Sequence, residues 1–171
     1  MGFLYCCLFL MTNAVVGFVL GRVVPKRWFN PARGIFQCFP FEKEGKIYEK
    51  LGIRFWQNRV PDMSKWFPNL MPPKALKQNA AQQLPVMLQE TCVAEAVHLW
   101  VGILGFFCLH FLPTLGGVMI ALVHFVFLNL PFILIQRYNR PRLLRLYRTM
   151  QTRKENYLAR ADFDLCNGAG A

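Results

Sequence analysis

Between Gln89 and Trp100 the chain reads QETCVAEAVHLW, a stretch whose acidic and imidazole side chains are Glu90, Glu95 and His98. Glu95 and His98 stand three residues apart, so on a helix they share one face. An imidazole held there can act as a general base, taking the proton of an acceptor hydroxyl while fixed donors hold the oxyanion that develops. Arg137, Tyr138, Asn139, Arg140 and Arg142 follow a second apolar run that ends at Ile135 and form a cluster of hydrogen-bond donors. Ionisable groups at the edge of such runs are costly and usually turn inward, which marks them as functional candidates. A plainer role stands beside this one, in which the histidine bonds between helices and Glu95 pairs with Arg137 to hold two helices together. His110 and His124 have no acidic neighbour three or four residues away and read as packing residues.

What is missing narrows the reaction class. Ser64 is the only serine and no GxSxG occurs, which argues against a serine nucleophile elbow. There is no HExxH, phosphate loop or dinucleotide fingerprint. Glu95-Ala-Val-His98 has the Glu-x-x-His form of carboxylate-bridged metal centres, but those need the motif twice, so no metal is expected. The six cysteines make no CxxC pair, and Cys6, Cys7, Cys92 and Cys108 lie in or beside apolar runs, where they behave as small apolar residues. Direct transfer to an acceptor hydroxyl, with no tightly bound cofactor, is the natural remainder.

The elements that position these groups follow from hydropathy. With 171 residues, 54% of them hydrophobic and 15% aromatic, the chain is too apolar for an ordinary soluble domain. Its apolar residues cluster into three runs, over about 3–24, 94–112 and 115–136, each near the roughly 17–25 residues a helix needs to cross a bilayer. The expected fold is therefore an all-α integral membrane protein with about three transmembrane helices. A cytoplasmic interfacial segment over 25–93 and a basic cytoplasmic tail over 137–171 complete one membrane domain. Twelve of the 20 Lys and Arg fall between Arg22 and Lys77 and the other eight between Arg137 and Arg160, while the N-terminus and the turn at Pro113–Gly117 carry none. By the positive-inside rule the N-terminus is outside and the C-terminus cytoplasmic. No basic region precedes the first run, so it reads as a retained anchor rather than a signal peptide. The tight turn makes the second and third spans an antiparallel hairpin, in which residues whose numbers sum to about 230 share a depth. Glu95 then faces the neighbourhood of Ile135 and Gln136, next to the arginine cluster.

The long loop between the first two spans should hold structure. Over 42–58, Ile47, Leu51 and Phe55 recur every four residues with Tyr48 alongside and lysines on the flanks, the pattern of one amphipathic helix lying on the membrane. A weaker stripe spans 74–89, where Pro85 should kink the helix or start a new one, and Pro141 suits the start of another. The net charge of +11 with interleaved Trp28, Phe29, Phe55, Trp56 and Trp66 imitates a nucleic-acid groove. In a chain with three apolar spans these residues instead mark the headgroup region, so membrane lipid and no nucleic acid is expected as partner.

Three stretches go further: FEKEGKIYEKLGIRFWQNRVPDM at 41–63, LQETCVAEAVHLW at 88–100 and NLPFILIQRYNRPRLLRLYR at 129–148. Together they resemble the glycosyl-4,4'-diaponeurosporenoate acyltransferase family, most specifically in the string from Gln136 to Arg142. The resemblance implies a small enzyme of the bacterial cell membrane that esterifies a sugar hydroxyl of a glycosylated C30 carotenoid, the last step of staphyloxanthin-type carotenoid synthesis. It implies an acyl thioester donor, acyl-CoA or acyl carrier protein, approaching from the cytosol, and a glycosylated isoprenoid or other glycolipid acceptor arriving through the bilayer. His98 would be the general base, Glu95 its orienting partner and Glu90 a second candidate. Arg137, Asn139 and Arg140 would bind phosphate or the oxyanion, Tyr138 and Arg142 would complete the rim, and Arg54, Trp56 and Asp62 would cover the sugar. The stretch from Ser64 to Gln83 has no counterpart in the family pattern and leaves the acceptor open. A competing class is a non-enzymatic membrane scaffold or lipid-binding partner that uses the same basic cluster. Three spans enclose little volume, which leaves a homo-oligomer with a shared cavity open as well.

Overall fold

The computed structural model describes residues 1–60 and 80–168. Asp62 and residues 74–79 of the weak stripe over 74–89 lie outside the described residues, while Leu84 and Leu88 of that stripe are buried. Helix α1 (Gly2–Val23) opens the chain and is followed by a run of short turns that includes α2 (Lys46–Glu49) and α3 (Ile53–Trp56). Helix α4 (Ala80–Leu104) passes through a 3-10 turn into α5 (Cys108–Phe111). After a sharp turn, α6 (Leu115–Val123), a π-helical turn (His124–Asn129) and α7 (Leu130–Gly168) run as one rod. No strand occurs among the described residues. Three helices, Gly2–Val23, Gln83–Phe111 and Leu115–Arg160, are long and apolar enough to cross a membrane; they overlap the three apolar runs, the second starting well before residue 94.

Helix α1 is two-faced by size rather than polarity. Phe3, Leu8, Met11, Val15 and Val19 are exposed, as lipid-facing residues are, while Cys6, Asn13, Gly17 and Gly21 are buried against the hairpin. A Cβ on Gly17 would stand 2.4 Å from a Val101 methyl, and one on Gly21 2.8 Å from a Val97 methyl, so the glycine pair sets how closely α1 and α4 approach. The Asn13 amide donates to the Val101 carbonyl at 3.0 Å and fixes the register. Gly17→Leu is expected to cost about 1–3 kcal/mol through overpacking. A lowered thermal midpoint in detergent reads this out, and an unchanged midpoint would show that α1 docks elsewhere.

The hairpin keeps the antiparallel register expected from its tight turn. Thr91 meets Arg140, Glu95 meets Arg137, His98 meets Phe132, and Gly102 lies against Asn129. Neither proline starts a helix: Pro85 sits inside α4, and α7 continues through Pro141 instead of restarting there, which corrects the expectation for Pro141. A proline inside a helix costs about 3 kcal/mol. Here α7 is held just before Pro141 by the buried side chains of Tyr138 and Arg140, and at Pro141 by the packing of Gly45 on its ring.

The interfacial segment also departs from the single amphipathic helix expected over 42–58. Lys43 and Glu44 adopt φ of 47° and 57°, Gly45 of 88° and Gly52 of 66°, so the chain breaks into a 3-10 turn and two single-turn helices. Gly45 is needed twice over: its φ is left-handed, and a Cβ there would lie 3.2 Å from the Tyr138 carbonyl. The breaks bring Tyr48 and Ile53 inward to pack with Tyr138, Trp56, Leu134 and Ile135, a small core that clamps the segment to α7. Ile47, Leu51 and Phe55 remain exposed, so the apolar stripe survives as surface, carried by turns rather than one helix.

Candidate active site

Four charged side chains meet at the base of the hairpin. Arg137, early in the polar half of α7, forks onto Glu42, with Nε donating to Oε1 at 2.5 Å and Nη2 to Oε2 at 3.0 Å. Its Nη1 donates to Glu95 Oε1 at 2.6 Å and to the Ile35 carbonyl at 3.0 Å. Arg140, one turn further along α7, stands 2.5 Å from Glu95 Oε2 and donates to both the hydroxyl and the carbonyl of Thr91 at 2.9 Å and to the Phe36 carbonyl at 2.9 Å. The rings of Phe39 and Phe36 cover the two guanidinium groups. Glu42 is 1% exposed, Glu95 5% and Arg140 3%, so this is a charge-balanced network of two carboxylates and two guanidinium groups, almost sealed from solvent. It staples the loop over 35–42 to both helices of the hairpin.

Glu42 is held by more than arginine. The Phe39 amide donates to it at 2.6 Å and the Tyr48 hydroxyl donates to its other oxygen. Burial alone would raise its pKa, but the bonds from Arg137, Tyr48 and the Phe39 amide outweigh burial and hold the carboxyl below the usual range. The Tyr48 hydroxyl is pushed the other way by burial and by the carboxylate it serves, which keeps it a donor. Burial and the Glu42 carboxylate likewise raise the nearby Cys38 thiol, leaving it a poor nucleophile.

The sequence candidates are thus divided between separate places. Glu95 belongs to the arginine network. Glu90 bonds Arg22 Nη2 at 3.1 Å and pairs with Lys26, tying the basic end of α1 to α4. Arg137 and Arg140, expected as phosphate or oxyanion ligands, are committed to protein acceptors. Asn139 is half-buried beside them. Tyr138 is fully buried, its hydroxyl accepting from Arg54 Nε at 3.1 Å while the Arg142 guanidinium covers its ring at 4.3 Å. Arg54 also bonds Glu49 at 2.7 Å, and the Trp56 indole donates to the Leu51 carbonyl at 3.0 Å.

His98 lies one helical turn past Glu95, roughly 4.5 Å further along the span. Its ring stacks on Phe132 with centroids 4.4 Å apart and planes 7° from parallel, and its Nδ1 lies 3.2 Å from Asn129 Oδ1. Asn129, 2% exposed, in turn donates through Nδ2 to the His124 carbonyl at 3.0 Å. Because the amide nitrogen is bound to a carbonyl, the oxygen is the atom that faces His98. Nδ1 of His98 is therefore the donor in this bond. The π-helical turn delivers both His124 and Asn129 to the interior, and π turns recur at functional sites.

Asn129 is the group that the spacing argument missed. Its signal was present: an amide in the apolar run FVFLNLPF, at the depth where the hairpin register puts His98, is a costly residue that must bond inward. Glu42 and Thr91 were also missed as members of the network. No group of three or more His, Cys, Asp or Glu suited to a metal ion occurs among the described residues.

The described geometry can be set beside known proteins. A family model described as glycosyl-4,4'-diaponeurosporenoate acyltransferase matches residues 25–149, a range that contains His98, Asn129 and the whole arginine network. Proteins named glycosyl-4,4'-diaponeurosporenoate acyltransferase from Staphylococcus aureus, strains bovine RF122 / ET3-1 and MRSA252, are each 32% identical over 139 residues, covering 81% of this chain and 83% of the relative. No solved structure matches the chain.

Proposed function

The chain belongs to the glycosyl-4,4'-diaponeurosporenoate acyltransferase family, and we propose that it transfers a fatty acyl group from a thioester to a sugar hydroxyl of a glycosylated isoprenoid, with His98 as general base. The donor is acyl-CoA or acyl carrier protein, reaching the site from the cytoplasmic face. The stacked and hydrogen-bonded imidazole of His98 is the observation that carries the reading.

Nε2 of His98 takes the proton of the sugar hydroxyl as its oxygen forms a bond to the thioester carbonyl. The tetrahedral oxyanion collapses, the carbon–sulfur bond breaks, and the leaving thiolate takes the proton back from the imidazolium. Asn129 orients the base, the position expected for Glu95. Glu95 and Glu90 act through the scaffold, Glu95 by holding Arg137 and Arg140 and Glu90 by anchoring α1. Among the candidate phosphate or oxyanion ligands, the side chain of Asn139 makes no hydrogen bond among the described residues, which leaves it for the thioester donor. Arg54 and Trp56, on the interfacial segment, cover the sugar, and Arg142 lines the rim beside Tyr138.

Expression in cells that make a glycosylated C30 carotenoid acid tests the reading. Lipid mass spectrometry should show its acyl ester only when the chain is present, and absence of the ester in such cells would overturn it. A second test addresses Asn129. Asn129→Ala should lower kcat by roughly ten- to a hundredfold, since it removes the orientation of a general base and not the base itself. Asn129→Asp, which keeps an acceptor oxygen toward Nδ1, should recover most of the rate. Equal loss in both variants would mean that the amide serves packing alone.

A further inference from the structure

The two arginines of the buried network are spent on protein acceptors, but α7 carries a second pair one to three turns further along. A cleft of about 240 Å³ opens between the loop at Pro31–Cys38 and α7. Pro31, Pro141 and Leu144 give it apolar walls, Gln37 contributes an amide, and Arg145, Arg148 and the carboxylate of Glu44 also line it. The arginines are three residues apart, so they present to the same recess. Their charges are exchangeable, unlike those of Arg137 and Arg140. Arg145 pairs with Glu44 at 2.7 Å, but its side chain is 61% exposed and that of Glu44 69%, and surface pairs of this kind hold weakly. Arg148 is exposed and in no ion pair among the described residues.

We propose that this cleft binds the phosphate-bearing nucleotide end of a coenzyme A thioester. The inference rests on the acyltransferase reading and names its donor. Guanidinium forks suit phosphate oxygens, and apolar walls beside them suit the flat face of a base. Spacing agrees with the chemistry: Arg145 and Arg148 follow Phe132, which stacks on His98, by about 20–24 Å of helix rise, a length that the pantetheine arm of such a thioester spans. A narrower cavity of about 30 Å³ shares Pro31, Gln37, Cys38, Pro141 and Leu144 with the cleft and is lined further in by Glu42, Arg137 and Arg140. A carrier protein would instead dock on a convex basic surface, whereas these arginines border a recess.

The full chain in phosphatidylcholine nanodiscs, with the double variant Arg145→Gln/Arg148→Gln beside it, provides the test. Binding of coenzyme A itself, followed by calorimetry, needs no turnover and should weaken about tenfold or more in the variant, as expected for losing charge-assisted bonds to phosphate. The ratio of KM for acyl-CoA to KM for acyl-pantetheine, which lacks the nucleotide, should rise by a similar factor. Equal coenzyme A affinity in the two proteins overturns the cleft assignment even if acyl transfer is intact. Transfer from acyl carrier protein alone also overturns it. Loss of binding to phosphatidylglycerol vesicles with coenzyme A affinity unchanged would give these arginines to lipid headgroups and overturn it too. Arginine-dependent coenzyme A binding without ester formation by the wild type supports the cleft and refutes the acyltransferase reading, so the two fail separately.

Discussion

Replacing His98 by alanine should abolish ester formation, with a fall in rate of about a hundred- to ten-thousandfold, the usual contribution of a positioned general base. The fold should survive. His98 is half-buried, lies within hydrogen-bond distance of Asn129 and stacks on Phe132, whereas the arginine network and the α1 interface tie the helices together elsewhere. His98→Gln sharpens the result, because an amide can keep a bond to Asn129 and occupy much of the same volume without accepting the proton. Both variants should therefore melt close to the wild type in detergent and both should be inactive. Lipid mass spectrometry of the acyl ester is the readout, and transfer at the wild-type rate in either variant would remove His98 from the mechanism.

The largest effect on stability is expected from Arg137→Ala, at about 3–5 kcal/mol, the range for breaking a buried charge pair from one side. Glu42 and Glu95 would be left almost sealed from solvent with a single guanidinium between them, and the carbonyls of Ile35 and Gln37 would lose their donor. Arg137→Lys should rescue little, since an ammonium group cannot fork onto Glu42 while also reaching Glu95. A drop in the thermal midpoint and in the yield of folded protein from membranes measures the loss. A variant as stable as the wild type would mean that the network is decorative.

The sequence was most informative where the physics is one-dimensional. Three apolar runs announced three membrane helices, and the tight turn after Leu112 implied the antiparallel register that places Glu95 against Arg137. Family membership was legible in the string around Tyr138, where Arg137, Tyr138, Arg140 and Arg142 each have a partner elsewhere in the chain. The assignment of partners was not legible. Glu95 and His98 share a helical face, yet two arginines claim the carboxylate, and the imidazole turns to an amide on the neighbouring helix. Helical spacing says which residues can touch, while competition among charges decides which do. The segment over 42–58 failed for another reason. Its apolar period is helical, but glycines at 45 and 52 permit left-handed turns, and the burial of Tyr48 and Ile53 against α7 overrides the local pattern.

The staple between Glu42 and Arg137 joins residues 95 positions apart. During synthesis the carboxylate leaves the ribosome long before its guanidinium partners exist, and the hairpin that carries them must first enter the bilayer. The segment ahead of α2 therefore waits in water with an unpaired charge and can close only after the last helix is inserted. Docking of this segment is a late event in biogenesis, and any machinery that delays or misorients the final helix leaves it detached from the hairpin.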